Sequence, residues 1–319
     1  MSRAERWHEL RTVSRGDGVY RVVLTLFALA LPTLLLMIVA ELTVGAWPSI
    51  RQFGWHFLFT NTWDPVRGQF GALPLIVGTL YSSFVAMVLA VPLALGAAIF
   101  LTEFAPRRMR GPVGTMIELL AGVPSVIYGL WGMYVLIPLQ RDILWPLLRP
   151  AIEWLPFFKG PFYGPSVLSG GTILAVMCLP YIAAVSREVL LAVPSSQREA
   201  ALALGATRWE AVWTVILPYG RAGIFGAIVL GLGRALGETM AVTMLIGNSH
   251  SISLSILKPG YTIAAAIANE FSEAVSALHL SSLVMAGLVL FLITVVVNAI
   301  ARWLIWRVAR GSAAGSSAI

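Results

Sequence analysis

Two charges inside an apolar stretch are the residues best placed to do chemistry in this 319-residue chain. The run 231–242 reads GLGRALGETMAV, with Arg234 and Glu238 four positions apart and Thr239 and Thr243 close by. On a helix that spacing puts both charges on one face. An ionised side chain at the centre of a bilayer costs at least about 2.5–3.5 kcal/mol on insertion scales. The pair is therefore expected to face a bundle interior, a subunit interface or a water-filled path. A guanidinium beside its own carboxylate lends positive potential to a passing oxyanion without trapping it. The same pair can equally be a structural tie between helices, and the spacing leaves both readings open. Gly231, Gly233 and Gly237 reduce the bulk nearby, which permits close helix approach or room for a solute.

Other reactive residue types form no constellation. Glu118 is the second acidic residue within an apolar run, and a structural contact with an arginine of a neighbouring segment is its expected role. His8, His56, His250 and His279 are scattered, with no partner at metal-ligand spacing, so loop positions and no metal are expected. The single cysteine, Cys178, forms no intrachain disulfide and reads as a small packed residue. No G-x-x-x-x-G-K-[ST] loop is present: Lys159 precedes Gly160 and Lys258 precedes Pro259. No motif sets out a nucleophile, base and acid. Neither a catalytic site nor a cofactor is expected in the chain itself.

The elements that position these residues are apolar. The chain is 58% hydrophobic and 12% charged. A soluble domain carries about 25% charged residues, so most of this surface is expected to face lipid. Six stretches are long enough to cross a bilayer, near 22–42, 72–101, 113–137, 170–186, 222–246 and 280–305. Pro92, Gly96 and Pro124 predict kinks in the second and third. The first is longer than a signal-peptide core and reads as an uncleaved span. Fifteen Lys and Arg residues fall in the two tails and the loops after spans two and four, against six in the remaining loops. The net charge of +7 is thus a positive-inside bias rather than a nucleic-acid surface, and both termini are expected in the cytoplasm. The opposite loops, 43–71 and 138–169, carry Trp47, Trp55, Trp63, Trp145 and Trp154. Interfacial anchoring and a docking surface for an external partner both account for them. The tail from Gly311 is small and polar and is expected to lack structure.

The loop after span four, 195–218, reads as helix, turn, helix. Ser196-Gln197-Arg198-Glu199 has the form of a capping box, and Thr207-Arg208-Trp209-Glu210 has it again. Gly205 supplies a stop for the first helix and Pro218 for the second. Two short capped helices make a knob suited to a groove in a soluble partner, with Leu202, Leu204 and Trp209 as apolar anchors and Glu199 as a polar one. An amphipathic hairpin lying on the membrane is the competing reading.

The run EAALALGA, 199–206, followed by Leu217-Pro218, resembles the EAA loop of ABC-importer permeases. The resemblance covers about residues 76–306. It implies an all-α membrane protein with six transmembrane helices and the type I ABC importer permease fold. It makes Glu199, Ala200, Ala201, Leu204, Gly205, Ala206 and Thr207 the contacts to an ATP-binding cassette ATPase. The expected organisation is a cytoplasmic tail (1–21), a first span with its external loop (22–71), the permease domain (76–306, coupling loop 195–218) and a second cytoplasmic tail (307–319). RALGETMAV, 234–242, is similar to the signature of phosphate-specific permeases of the PstC type, as are Phe57-Leu58-Phe59, Trp63-Asp64-Pro65, Gly71 and Leu73-Pro74. That similarity implies inorganic phosphate as substrate and a bacterial inner or plasma membrane location. Arg234, Glu238, Thr239 and Thr243 are then candidates for the path. It also implies a paired permease of PstA type, two ATPase copies that use the ATP, and a periplasmic or extracellular phosphate-binding protein. Sulfate or molybdate import is the alternative within that fold. A self-sufficient secondary transporter is the alternative outside it, and would need internal repeats that the sequence lacks.

Overall fold

A computed structural model describes residues 15–316, with side chains described within 18–307. Most of the expected tail 1–21, and residues 317–319, lie outside the described residues. Helix α1 (Arg15–Phe53) is followed by a single helical turn, His56–Phe59, and a two-stranded hairpin, β1 (Trp63–Asp64) and β2 (Gln69–Phe70). Then come α2 (Leu73–Ile99), α3 (Arg107–Ala121), α4 (Ser125–Trp131) and α5 (Trp145–Ile152). The second half holds α6 (Val167–Leu191), α7 (Ser195–Ala203), α8 (Arg208–Ala211), α9 (Leu217–Gly237), α10 (Met240–Leu245), α11 (Ile263–Glu270) and α12 (Ala277–Ser316).

Among the described residues five helices are long and apolar enough to span a membrane, and a bent pair, counted as one span, brings the total to six. The core is α6, packed against α2 and α9. Small residues permit this: Ala86, Ala90 and Ala94 of α2 are fully buried beside Leu174, Cys178 and Ile182 of α6. A Cβ on Gly231 of α9 would lie 2.6 Å from Ile182 Cδ1, so only glycine allows that approach. Two of the hydroxyls buried along α2 donate to the carbonyl one turn back, Thr79 to Leu75 at 2.7 Å and Ser82 to Gly78 at 2.8 Å, whereas Ser83 Oγ is buried with no hydrogen-bond partner among the described residues. The half of α1 nearest the N-terminus is exposed, as a lipid-facing helix must be. Its other half packs on α12, where Ser49 Oγ lies 2.9 Å from Ser282 Oγ and Ser49 N–H donates to Ser281 Oγ at 3.1 Å.

Five local expectations are corrected. The third span is not one straight helix: α3 and the helical segment from Ser125 to Ile152 meet at 95°. Pro124 has an extended ψ of 140° and is the N-cap of the second arm, and it disfavours helical backbone at Val123, which separates the two arms. Much of the expected loop 138–169 continues that arm as helix through α5. The fifth span stops at Gly237, since Glu238 adopts extended backbone (φ −70°, ψ 132°) before α10 resumes. Pro218 ends nothing: Arg208–Gly237 is one continuous rod of 30 residues. A wide π turn, Val212–Ile216, precedes the proline and absorbs its missing N–H donor. Finally, the chain beyond Gly311 continues α12 as helix to Ser316, in keeping with the alanines there.

Candidate functional site

Arg234 lies on α9, one turn before its end. Its guanidinium stacks on the Tyr181 ring of α6, 4.6 Å from the centroid. Tyr181 is itself held by donating its hydroxyl to Ala121 O at 3.0 Å, so the platform under the arginine is anchored to the bend after α3. Arg234 Nε is buried with no hydrogen-bond partner in the described chain. The residue lines an open groove of about 610 Å³ between α6, α9 and α12, together with Gly226, Gly233, Asn298 and Arg302. A Cβ on Gly226, Gly233 or Gly237 would meet nothing within 4 Å. The two roles open to the glycines are therefore divided, with Gly231 serving close packing and Gly233 and Gly237 facing free space.

Glu238 does not share Arg234's helical face, and the two form no ion pair among those of the described residues. The expected pair is broken because the helix ends between them. The break exposes backbone: Thr239 Oγ1 donates to Gly237 O at 3.3 Å, and Thr243 Oγ1 to Thr239 O at 2.7 Å. The two threonines thus stitch the interruption. Glu118 does contact an arginine, with Arg187 NH1 3.6 Å from Glu118 Oε1 between α3 and α6. Arg302 was read only as one of the basic residues near the C-terminal end. Its spacing of four from Asn298, in an otherwise apolar span, was the available signal that both share a polar face.

The loop 195–218 forms a hairpin of helices. Gly205 has φ +88°, with Ala206 N–H donating to Ala201 O (3.1 Å) and Gly205 N–H to Leu202 O (3.0 Å), a Schellman turn. The capping box at Thr207 is formed: Glu210 N–H donates to Thr207 Oγ1 at 3.2 Å, and Thr207 N–H donates back to Glu210 Oε2 at 2.7 Å. Those donors hold the Glu210 carboxyl below its usual range. The box expected at Ser196 is absent. Pro194 takes the N-cap position and Ser195 is already helical, which puts Ser196 inside the first turn. Glu199 and Ala200 are exposed, and Leu204 is 90% exposed at the tip. Ala201, by contrast, is buried beneath the hairpin. Trp209 rests edge-on against Trp213 at 5.6 Å and beside Phe104 at 6.2 Å.

At the opposite end of the molecule two histidines prove not to be scattered. Glu270 Oε2 accepts from Trp63 Nε1 at 2.7 Å and lies 3.1 Å from His279 Nε2, and Glu270 Oε1 lies 3.7 Å from His250 Nε2. His250 stacks on Trp63 (5.8 Å, 10°) and His279 on Phe70 (5.2 Å, 17°). Burial holds His250 below its ordinary pKa, Glu270 pulling the other way, and pushes the Tyr261 phenol beside it up. No group of three metal-ligating side chains occurs among the described residues. Trp63 is thus a structural hub, whereas Trp55 and Trp154 are exposed.

Comparison with known proteins fits this geometry. Residues 90–310 match the family described as binding-protein-dependent transport system inner membrane component. A phosphate transport system permease protein PstC of Mesorhizobium japonicum is 44% identical over 96% of this chain and 95% of its own length. The protein of that name from Pasteurella multocida is 48% identical over 91% of this chain and 92% of its own. Among solved structures, a bacterial alginate ABC transporter in complex with an alginate-bound periplasmic protein aligns over 92% of this chain and 97% of that chain. Its TM-score is 0.60 at 19% identity, a likeness of fold.

Proposed function

Because this chain belongs to the binding-protein-dependent transport system inner membrane components, and among them to the PstC phosphate transport permeases, we propose that it forms half of a transmembrane path for inorganic phosphate. Members of the family are multi-span inner-membrane subunits of ABC importers. They work with a binding protein and leave ATP hydrolysis to separate subunits. The finer assignments are our reading: a paired permease of PstA type, two ATPase copies, a phosphate-binding protein outside, and both termini in the cytoplasm.

The observation that carries the mechanism is the rod Arg208–Gly237. It begins in the hairpin that presents Glu199, Ala200, Leu204, Gly205, Ala206 and Thr207, and it carries Arg234 about 40 Å away at 1.5 Å per residue. Movement of the hairpin by an ATPase is therefore delivered to the arginine along one continuous helix, through the π turn at Val212–Ile216. Arg234 has an unused donor, an aromatic platform and an open groove in front of it. A fixed fork of N–H donors suits a tetrahedral oxyanion. Glu238, Thr239 and Thr243 border the helix break, where free backbone lines a path rather than facing lipid.

Uptake of radiolabelled phosphate into proteoliposomes holding the full complex and binding protein tests this. ATP-dependent uptake insensitive to excess sulfate is expected. Uptake without ATP or partners overturns the permease reading, and suppression by sulfate or molybdate reassigns the substrate within the same fold.

A further inference from the structure

Where the hairpin meets the ends of α2 and α3 there is a second hollow, of about 520 Å³, which shares no residue with the Arg234 groove. Four guanidinium groups from three helices line it: Arg107 and Arg110 of α3, Arg198 of α7 and Arg208 of α8. Glu103, in the wide turn Phe100–Phe104, is the one acid there. Four positive charges against one negative leave a strong excess in one concavity.

The four arginines are not equivalent. Arg198 is committed to the wall. It donates to Val193 O at 2.9 Å and Leu190 O at 2.6 Å, and it pairs with Glu103 at 3.3 Å. Arg110 Nε donates to Ala105 O at 3.0 Å. Glu103 is thereby neutralised by a residue that is already fixed. Arg107 and Arg208, both exposed, enter no hydrogen bond or ion pair among the described residues. Like charges on separate elements repel, and no acidic side chain among the described residues pairs with either arginine.

The backbone adds to the same field. Arg107 is the first residue of α3 and Ser195 the first of α7, and both line the hollow. Their N-caps are Pro106 and Pro194, with no side-chain cap in either case. Proline has no side-chain acceptor, so the first N–H groups of both helices lack the usual capping partner. Two uncapped helix N-termini and two uncommitted guanidinium groups around one hollow are the components of an anion site.

We infer that this hollow binds a phosphate group, either the headgroup of an anionic phospholipid or free inorganic phosphate. Bound there, it bridges α3 to the hairpin through Arg107 and Arg208 and braces the hairpin against the end of α2. The inference does not depend on the transported solute.

The test uses the whole delipidated complex of permeases and ATPases in neutral detergent. Its thermal midpoint is followed while phosphatidylglycerol, phosphatidylcholine or inorganic phosphate is added. Wild type is compared with Arg107→Gln/Arg208→Gln, with the charge-retaining Arg107→Lys/Arg208→Lys, and with Arg234→Ala to remove the groove arginine. A rise in midpoint is expected with phosphatidylglycerol or phosphate but not with phosphatidylcholine. It should need about 30-fold more ligand in the double Gln variant and return largely in the double Lys variant. A response to the lipid alone assigns the headgroup. A response to inorganic phosphate that survives Arg234→Ala assigns the free ion. Equal responses in wild type and the double Gln variant, or no response to either anion, overturn the inference. If the double Gln variant does not assemble, Arg107→Gln alone carries the same comparison.

Discussion

Arg234 combines a short-range constraint with an unmet demand. Stacking on Tyr181 fixes the guanidinium plane, while its buried Nε has no acceptor among the described residues. A charged hydrogen bond to a substrate oxyanion is worth about 1.5–3 kcal/mol. Arg234→Ala is therefore expected to lower phosphate uptake by about 10- to 150-fold while the complex still assembles, measured by uptake and size-exclusion chromatography on the same preparation. Loss of assembly instead marks the arginine as a structural tie. At this scale the sequence was informative about which residues matter and misleading about their relation. Four-residue spacing implies a shared face only while the helix continues, and it stops at Gly237. What forces the stop is not a local breaker alone. α10 must turn to pack Ala241 and Leu245 against Tyr128, Ile173 and Met177, and that need is invisible in the run itself.

The hairpin 195–218 behaves as an element because its two ends are closed by different local devices. Gly205 turns the chain with a positive φ, and Thr207 with Glu210 closes the second helix. Replacing an N-cap threonine by alanine costs about 0.5–2 kcal/mol. Thr207→Ala is expected to fray the start of the rod, seen as faster amide exchange over 207–211 and weaker coupling of ATP hydrolysis to uptake. The Glu210 carboxyl is held below its ordinary value by the Thr207 donors. Its contribution is thus present above the unfolded pKa, near 4.5, and lost as pH falls through the lower folded value. Protection of 207–211 should decline over that acidic window in wild type and not in Thr207→Ala. These caps were readable because their partners lie within three residues. The false box at Ser196 shows the limit of the pattern, since a proline one position earlier had already taken the N-cap role.

At the scale of the molecule, Glu270 ties the external hairpin, through Trp63, to the start of α12, through His279. It also lies 3.7 Å from His250 in the segment after α10, and His250 Nε2 is buried with no hydrogen-bond partner among the described residues. Glu273 lines the same site, the Tyr261 ring packs edge-on against His250 at 4.8 Å, and Asn269 donates to the Tyr261 hydroxyl at 3.1 Å. His250 is held below its ordinary pKa by burial, against the pull of Glu270. The unfolded chain therefore binds the proton more readily, and stability rises with pH through that region. Acidification from pH 7.5 to 5.5 is expected to lower the thermal midpoint of the complex, and His250→Gln to flatten that dependence. A midpoint that rises on acidification would show that the attraction of Glu270 outweighs the cost of burial.

Short-range rules account for much of this architecture. Apolar length and scarce charge specified the spans, and the motif at 199–206 with its glycine and cap specified the hairpin. The intramembrane charges marked the groove. Each of these signals is carried by residues within a few turns of one another, where helix periodicity and capping act. Long-range packing is what bends the third span by 95°, carries the rod through Pro218 without ending it, and brings Arg302 to Arg234. It alone brought Trp63, His250 and His279 to one carboxylate. Those outcomes depend on contacts between residues up to about two hundred positions apart. There the packing of helix against helix, rather than any local preference, selects the backbone.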